Sequence, residues 1–343
     1  MSTPLTINSV ETLEQALPII RKAQELYSTF SQEQVDAICE KSAMSVSKMR
    51  IPLAKMACEE TGYGIMVDKV TKNQYASEHV WNYMRNKKTC GVIEENKAFG
   101  TMRIASPKGV IAAITPTTNP TSTTIYKMLL ALKTRNAIIL SPHPHAVNCS
   151  IAAAKIIRDA AIEAGLPEHV ISWVSVPSLE ISDYLMKNVD LIMATGGSGM
   201  VKAAYSSGTP AIGVGPGNCN VVIDESADLR MAVESIIHSK TFDNGMICAS
   251  EQHITVLASV YDEVKRLLKE ARCYFLKDDE AAKVAEVFFN SKTHGVKPGA
   301  VGQTANRLAE MAGIDVPYDT KVLIYETDDT SHACAWANEK LTT

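Results

Sequence analysis

Short apolar runs alternate with helix-patterned segments between residues 108 and 208, and this alternation restricts the fold more than any other feature. KGVIAAITP (108–116), NAIILSP (136–142) and DLIMAT (190–195) have the length and composition of buried strands, and each leads through a turn into a helical pattern. Strands that alternate with helices of about ten to fifteen residues form a doubly wound parallel sheet. Ligands bind such sheets at the carboxyl ends of the strands, so we expect functional residues in these turns.

A helical region precedes the predicted sheet, and a second α/β pattern follows it. Apolar residues recur at three- and four-residue steps through much of residues 10–87, and Ser31 with Gln34 has the spacing of a capping box at a helix start. The segments VYDEVKRLLKEAR and DEAAKVAEVFF predict helices near the carboxyl end. A length of 343 residues suits two domains or one large domain.

Composition excludes several classes of function. The formal net charge of −4 gives no electrostatic reason to expect a nucleic-acid or membrane partner, and no apolar window is long enough to cross a bilayer. The amino terminus lacks the basic flank and apolar run of a secretory signal, so we expect a cytoplasmic protein. The cysteines form no C-x-x-C pair and lie at no zinc-finger spacing, which predicts reduced thiols and no metal. They are Cys39, Cys58, Cys90, Cys149, Cys219, Cys248, Cys273 and Cys334.

The segment KTFDNGMICASEQ (240–252) places Cys248 among small and polar residues that include a glycine. Most cysteines outside disulfides are buried structural thiols, whereas a nucleophilic thiolate needs access and nearby hydrogen-bond donors. Both interpretations stay open from the residues alone. The other cysteines lie in helical patterns, beside element ends or, for Cys219, before an apolar strand, where a structural role is expected.

Two glycine-rich loops are candidate anion sites. TGGSGMVKAAYSSG (195–208) follows a strand and opens a helix, so the backbone N–H groups near Gly196 and Gly197 suit a diphosphate. The pattern is not G-x-G-x-x-G, and tight packing of a strand against a helix explains it equally well. GVGPGN (213–218) is also compatible with a plain turn between strands.

Two further strand ends carry polar residues. Asn119 in TPTTNPTS (115–122) could donate its amide to a developing oxyanion, although a helix cap or an Asx turn is the more common role for such an asparagine. SPHPHA (141–146) contains two histidines without an acidic neighbour, which is typical of a surface loop and not of a metal site.

Taken in order, these motifs resemble the aldehyde dehydrogenase superfamily. PTTNPTST, KTRNAIILSPHP, ATGGSGMVKAAYSSG, PAIGVGPGN and SKTFDNGMICASEQ closely resemble its CoA-acylating branch, which includes the amino-terminal acetaldehyde dehydrogenase half of bifunctional aldehyde-alcohol dehydrogenases. The resemblance runs from about Ser31 to the last residue. It implies an aldehyde dehydrogenase-like α/β fold, with a helical region and a Rossmann-like NAD-binding domain over residues 1–238 and a catalytic domain over residues 239–343.

The resemblance also implies site residues and cosubstrates. Cys248 is the nucleophile, and Asn119 forms the oxyanion hole together with the backbone N–H of Cys248. The cofactor is NAD and the co-substrate is CoA. The implied cofactor-binding residues are Ser141 and Pro142 at the adenosine, Gly196, Gly197 and Ser198 at the diphosphate, Glu339 at the nicotinamide ribose, and Gly213.

Gly213 also bears on the acyl acceptor. Hydrolytic members of the superfamily carry a glutamate in this loop, where it activates water, and aligning GVGPGNCNVVIDESAD with them places Gly213 at that position. Without a base there, attack by water is slow, whereas a thiol can still react. The sequence therefore predicts CoA as the acceptor, and acyl-CoA reduction as the reverse reaction.

The sequence leaves two alternatives open. One is an acyl-phosphate-reducing semialdehyde dehydrogenase, which shares the cysteine and a Gly-Asn-Cys turn. The other is an inactive cofactor-binding fragment, because the family continues beyond NEKLTT with the final strands of the catalytic domain and a histidine implicated in the CoA step. We therefore expect the chain to be truncated at its carboxyl end, and the full-length form to be a homo-oligomeric enzyme.

Overall fold

A computed structural model describes residues 5–331 and 333–343 and divides the chain into two compact units. Among the described residues, 5–62 and 69–215 form the first unit, and 63–68 and 216–343 form the second.

The first unit begins with helices, as the periodicity predicts. The capping box at the start of the second helix is confirmed, since Ser31 Oγ accepts from Gln34 N and Ser31 N donates to Gln34 Oε1 at 2.9 Å. The helices are α1 (Val10–Ser28), α2 (Gln32–Lys48), α3 (Arg50–Thr61), α4 (Met66–Gln74, of which residues 69–74 belong to this unit), a π-helical turn (Tyr75–His79) and α5 (Val80–Met84).

A hairpin and a parallel sheet follow. The hairpin pairs β1 (Gly91–Asn96) with β2 (Thr101–Ala105) in antiparallel fashion, and its apolar side chains Val92, Met102 and Ile104 are exposed. The elements of the sheet region are β3 (Val110–Ile114), α6 (Pro120–Lys133), β4 (Ala137–Ser141), a 3-10 turn (Pro144–Ala146), α7 (Val147–Glu163), β5 (Ile171–Trp173), α8 (Leu179–Asn188), β6 (Leu191–Thr195), α9 (Ser198–Ser206) and β7 (Ala211–Val214).

The sheet confirms the predicted doubly wound topology. Its strands are parallel and lie in the order β5-β4-β3-β6-β7, so the chain moves outward in one direction from β3 and later in the other from β6. Every residue of β3 and β4 is buried, which explains why these strands are continuous apolar runs. The strand order therefore has its topological switch point between β3 and β6, and the carboxyl ends at such a point are where ligands bind in doubly wound sheets.

The second unit contains two parallel strand pairs, β8 with β9 and β10 with β11. Its elements are β8 (Cys219–Ile223), α10 (Leu229–Thr241), a 3-10 turn (Phe242–Gly245), β9 (Glu251–Val256), α11 (Tyr261–Glu270), β10 (Cys273–Phe275), α12 (Asp278–Phe288), a 3-10 turn (Pro298–Ala300), α13 (Ala305–Ala312), β11 (Val322–Ile324) and a 3-10 turn (Ala335–Ala337).

The structural boundary differs from the expected division at residue 238. The compact units separate after Gly215, because β8 pairs with β9 and α10 packs on the core of the second unit. Ile223 and Ile236 share that core with Val264 and Leu267. The assignment of residues 1–238 and 239–343 as functional domains stays a prediction.

Candidate active site

Cys248 lies in the second unit between the 3-10 turn Phe242–Gly245 and β9, and its side chain is exposed. All eight cysteines lie within the described part of the chain, none is in a disulfide, and Cys248 is the exposed one. Burial raises the pKa of Cys39 and Cys149 far above the ordinary range and that of Cys273 to about 12. Since the thiolate is the reactive form, these three buried thiols are poor nucleophiles. Access therefore favours Cys248.

The turn that leads to Cys248 has a left-handed backbone over three consecutive residues. The φ angles are 49° at Asp243, 52° at Asn244 and 72° at Gly245. Left-handed conformations are unfavourable for residues other than glycine and persist where neighbouring contacts hold them. Here the buried Asp243 accepts from Ile65 N through Oδ1 at 2.7 Å and donates its own N–H to Asp68 Oδ2 at 2.7 Å. These bonds fix the strained turn that positions the thiol.

Glu339 borders the same part of the second unit. Its Oε1 accepts from Gly217 N at 3.1 Å, while Gln252 Nε2 donates to Gly217 O at 3.0 Å. A Cβ placed on Gly217 would lie 3.9 Å from the carbonyl oxygen of Cys248, so Gly217 lies next to both Glu339 and the Cys248 backbone. Burial raises the pKa of Glu339, and the Gly217 hydrogen bond and neighbouring lysines oppose this. The structure thus brings together the two predicted site residues of the second unit.

Two buried polar groups lie close to this region. Lys240 Nζ and Glu251 Oε2 have no hydrogen-bond partner within residues 5–331 and 333–343, and both residues line a cavity of about 380 Å³. Burial, with a smaller contribution from the charge of Lys340, lowers the pKa of Lys240 to about 7. The amine is therefore poised between its charged and neutral forms near neutral pH.

The remaining predicted site residues line one edge of the sheet in the first unit. Ile114, at the end of β3, pairs with Ser141 of β4 and Ala194 of β6, and Ala194 pairs with Gly213 of β7. This register brings the carboxyl ends of the strands level. The predicted residues at or just beyond this edge are Asn119, Ser141, Pro142, Gly196, Gly197, Ser198 and Gly213.

The glycine-rich turn before α9 has room for an anion. Gly197 is the N-cap residue in an extended conformation, and Ser198 begins the nine-residue helix. A Cβ on Gly197 or Gly199 would meet no atom within 4 Å. Backbone N–H groups and the positive end of a helix dipole stabilise phosphate charge, so this open cradle fits a dinucleotide diphosphate.

Asn119 occupies the N-cap position of α6, yet its side chain makes no capping hydrogen bond. Its Oδ1 instead accepts from Lys72 Nζ of α4 at 2.7 Å. Helix capping, the common role for an asparagine in this position, is therefore not the role of this side chain. Sequence reasoning missed Lys72, because only the three-dimensional packing of α4 reveals the contact.

Gly213 is closely packed inside the first unit. A Cβ at this position would lie 2.8 Å from both Tyr205 Cε2 and Val201 Cγ1. Gly213 N also donates to the hydroxyl oxygen of Tyr205 at 3.0 Å. Any side chain at position 213 would require both neighbours in α9 to move.

His143 and His145 form an edge-to-face pair with ring centroids 5.4 Å apart. Within residues 5–331 and 333–343, no three His, Cys, Asp or Glu side chains are grouped so as to hold a metal. No helix in these ranges is long and apolar enough to span a membrane.

Comparison with known proteins gives consistent matches. The sequence profile described as "Aldehyde dehydrogenase family" matches residues 5–284. An aldehyde-alcohol dehydrogenase of Clostridium acetobutylicum is 51% identical over 337 residues, which cover 98% of this chain and 39% of the relative. The chain thus spans about two fifths of that relative's length.

Solved structures match over nearly the whole chain. An acetylating aldehyde dehydrogenase from Geobacillus thermoglucosidasius superposes with a TM-score of 0.92 at 42% identity, covering 97% of this chain and 74% of that protein. A Rhodopseudomonas palustris propionaldehyde dehydrogenase with bound CoA and an acylated cysteine matches with a TM-score of 0.84 at 29% identity, covering 99% and 77%.

Proposed function

The chain belongs to the aldehyde dehydrogenase family, and we propose that it carries the chemistry of a CoA-acylating aldehyde dehydrogenase. The reaction converts a short-chain aldehyde, CoA and NAD⁺ reversibly to acyl-CoA, NADH and a proton, with acetaldehyde and acetyl-CoA as the substrate pair. The observation that carries the proposal is Cys248, an exposed thiol that follows a hydrogen-bonded, left-handed turn. The match to an acetylating enzyme confirms the expected aldehyde dehydrogenase-like α/β fold and supports this choice of reaction.

The first step is attack by the Cys248 thiolate on the aldehyde carbon. A C–S bond forms and the carbonyl oxygen becomes an alkoxide, whose charge is stabilised by hydrogen-bond donors. The family resemblance assigns these donors to the amide of Asn119 and the backbone N–H of Cys248. When the alkoxide collapses, a hydride leaves the carbon and a thioester remains on Cys248.

NAD, when bound, accepts that hydride. The residues of this chain fit the cofactor, because the cradle at Gly197 and Gly199 leaves space for a diphosphate at an amide-rich helix start. Ser141 and Pro142 at the end of β4 would hold the adenosine. Glu339 would contact the nicotinamide ribose.

The acyl group of this thioester is then transferred to CoA. The CoA thiolate attacks the acyl carbon, the C–S bond to Cys248 breaks, and the Cys248 thiolate is regenerated. Position 213, where the resemblance places a water-activating glutamate in hydrolytic members, holds a glycine whose Cβ, if present, would lie 2.8 Å from side-chain atoms of Tyr205 and Val201. The missing base supports a thiol as the acceptor, because a thiol needs less activation than water.

The test is NADH formation by the purified chain with acetaldehyde and NAD⁺, measured with CoA, with inorganic phosphate, and without an acceptor. We expect NADH formation that requires CoA and is lost in Cys248→Ala. The matched control is Cys90→Ala, which removes a half-buried thiol of the first unit and should retain the activity.

The other outcomes separate the alternatives. Phosphate-dependent NADH formation would support an acyl-phosphate-reducing enzyme instead. NAD binding without any turnover would support a cofactor-binding fragment. Activity retained in Cys248→Ala would overturn the assignment of the nucleophile.

We also propose that the protein forms a homo-oligomer. The β1–β2 hairpin supports this, since Val92, Phe99, Met102 and Ile104 are exposed on it, and contiguous exposed apolar surface is typical of interaction sites. Light scattering coupled to gel filtration should give a mass above that of one chain, and Phe99→Lys with Ile104→Lys should reduce it. A monomeric wild type would contradict this proposal.

We further propose a cytoplasmic location and a role in fermentation, in which acetyl-CoA reduction regenerates NAD⁺. The thiol state of all eight cysteines supports a reducing compartment. Cell fractionation followed by immunodetection is the measurement, and recovery outside the cytoplasmic fraction would contradict the location.

A further inference from the structure

We propose that Lys72 is a positioning residue that fixes the orientation of the Asn119 amide, so that Nδ2 and not Oδ1 is presented to the developing oxyanion. This inference rests on the proposed function, in which Asn119 donates to that oxyanion. It assigns a role to a lysine that neither the sequence motifs nor the comparisons single out.

The contact that carries the inference lies entirely within the first unit. Lys72 Nζ, from half-buried α4, donates to Asn119 Oδ1 at 2.7 Å. On the other side of the amide, Asn119 Nδ2 donates to Thr118 Oγ1 at 3.3 Å. The amide is therefore held with its oxygen toward Lys72 and its nitrogen away from it.

The chemistry of lysine makes this orientation selective. The two ends of a primary amide have nearly the same shape, so sterics alone do not decide which end faces a given direction. A lysine ammonium has three donors and no acceptor, so it can bond to Oδ1 but not to Nδ2. A reversed amide would place donors against donors at Lys72 and a carbonyl dipole toward the alkoxide. The ammonium also makes the bond charge-assisted, and such bonds are stronger than neutral ones.

Further hydrogen bonds hold α4 against the turn that contains Thr118 and Asn119. Lys69, one turn earlier in α4 and 2% exposed, donates through Nζ to Thr118 O at 3.0 Å. Asn73 accepts from Thr121 Oγ1 at 2.8 Å and donates to Arg50 O at 3.1 Å. Three side chains of α4 thus bond to the turn at Thr118 and Asn119 or to the start of α6, and that of Lys72 bonds to the amide oxygen.

The difference between Lys69 and Lys72 provides a matched comparison. Both are lysines of α4 that hold the same turn, but Lys69 binds a backbone carbonyl whereas Lys72 binds the side-chain oxygen. A role in holding the turn is shared by both residues. A role in orienting the amide belongs to Lys72 and requires Asn119 to be present.

The experiment measures acylation of Cys248 by 4-nitrophenyl acetate in stopped flow. The thiolate attacks the ester carbonyl, the bond to 4-nitrophenolate breaks, and a thioester forms through a tetrahedral oxyanion, with no oxidation and no NAD. The proteins are wild type, Cys248→Ala, Asn119→Ala, Lys72→Met, Lys69→Met, and the doubles of Asn119→Ala with each lysine variant. CoA-dependent NADH formation is measured separately on the same proteins.

We expect Asn119→Ala to slow acylation by about 10²- to 10³-fold, as for loss of one oxyanion donor, and Lys72→Met to slow it by about 10- to 100-fold. Because Lys72 acts through the amide, the Asn119→Ala/Lys72→Met double should equal Asn119→Ala within about threefold. In the Asn119→Ala/Lys69→Met double, by contrast, the fold-decreases in acylation rate of the two single variants should multiply. Lys72→Arg, which keeps a donor-only cation, should retain most of the wild-type rate, whereas Lys72→Gln should not.

Wild-type acylation rates in Lys72→Met, or multiplication of its effect with that of Asn119→Ala, would overturn the inference. A nitrophenolate burst that persists in Cys248→Ala would overturn it as well. If Lys72→Met does not fold, as judged by circular dichroism, Lys72→Arg and Lys72→Gln are compared instead. Equal acylation rates in these two variants would overturn the inference. If the acylation rates follow the expected double-mutant pattern but CoA-dependent NADH formation is absent, the proposed function alone is rejected. If NADH forms but the effects of Lys72→Met and Asn119→Ala on the acylation rate multiply, this inference alone is rejected.

Discussion

At the scale of single residues, the amine of Lys240 lies buried beside a cavity and has no hydrogen-bond partner within the described ranges. Burial lowers its pKa to about 7, and the charge of Lys340 acts in the same direction, whereas Glu339 and Glu251 oppose the shift. Burying a charge is unfavourable unless it is paired, so the folded protein favours the neutral amine above this pH.

We predict that Lys240→Met stabilises the protein and that the gain depends on pH. An unfolded lysine titrates near 10.5, so between pH 7 and 10.5 the unfolded chain binds a proton that the folded chain does not. The wild-type free energy of unfolding therefore rises with pH across this window, and the advantage of the variant is largest at and below pH 7. The difference between the folded and unfolded pKa values limits the pH-dependent part of this stability difference to about 5 kcal/mol.

Urea unfolding at about pH 6, 8 and 9.5 measures this difference. The control is Lys292→Met, which removes an exposed lysine and should change stability equally at each pH. A gain in Lys240→Met that is the same at every pH would contradict the prediction.

At the scale of elements, the turn Phe242–Gly245 is held in a conformation that its sequence alone does not favour. Asp243 and Asn244 have positive φ angles, and the bonds of Asp243 to Ile65 and Asp68 offset the cost. Gly245 is required for a further reason, because a Cβ there would lie 2.6 Å from Thr342 O.

We predict that Gly245→Ala destabilises the second unit by about 2 kcal/mol or more, since a left-handed alanine costs about 1 kcal/mol and the clash adds to it. The control Gly299→Ala adds a Cβ that meets no atom within 4 Å and should change stability by less than about 0.5 kcal/mol. Unfolding followed by Trp336 fluorescence measures both, and equal stabilities of the two variants would contradict the prediction.

Local patterns predicted the elements well, and long-range contacts explain what they missed. The parallel strands and the α2 cap follow from apolar periodicity and from residues three apart, both of which are visible in the sequence. The division after Gly215 and the bond between Lys72 and Asn119 depend on which distant segments pack together. The resemblance selected Cys248 from eight cysteines, and its exposure in the structure agrees with that choice without testing its role.

At the scale of the whole molecule, each compact unit has apolar cores of its own. The core of the first unit joins the sheet to its helices, whereas separate clusters around Ile223 and Leu308 stabilise the second. Trp81 and Trp173 belong to the first unit and Trp336 to the second, so tryptophan fluorescence can report on each.

We predict that urea unfolding gives two transitions and that NAD raises the midpoint of the first-unit transition more than the other. Most of the predicted cofactor residues lie in the first unit, and a ligand at 100 times its Kd stabilises its binding state by about 2.7 kcal/mol. Trp336→Phe should remove the fluorescence change of the second-unit transition only. A single transition seen by all probes, or equal shifts with NAD, would contradict this prediction.

The packing around Gly213 also restricts how this chain can evolve or be engineered. A side chain introduced at position 213 requires Val201 and Tyr205 to shift, because its Cβ would meet both at 2.8 Å. Space has to be made in α9 first, and a smaller residue at 205 forfeits the hydroxyl that accepts from Gly213 N. A change of acceptor from a thiol to water is therefore coupled to the packing of α9 against β7.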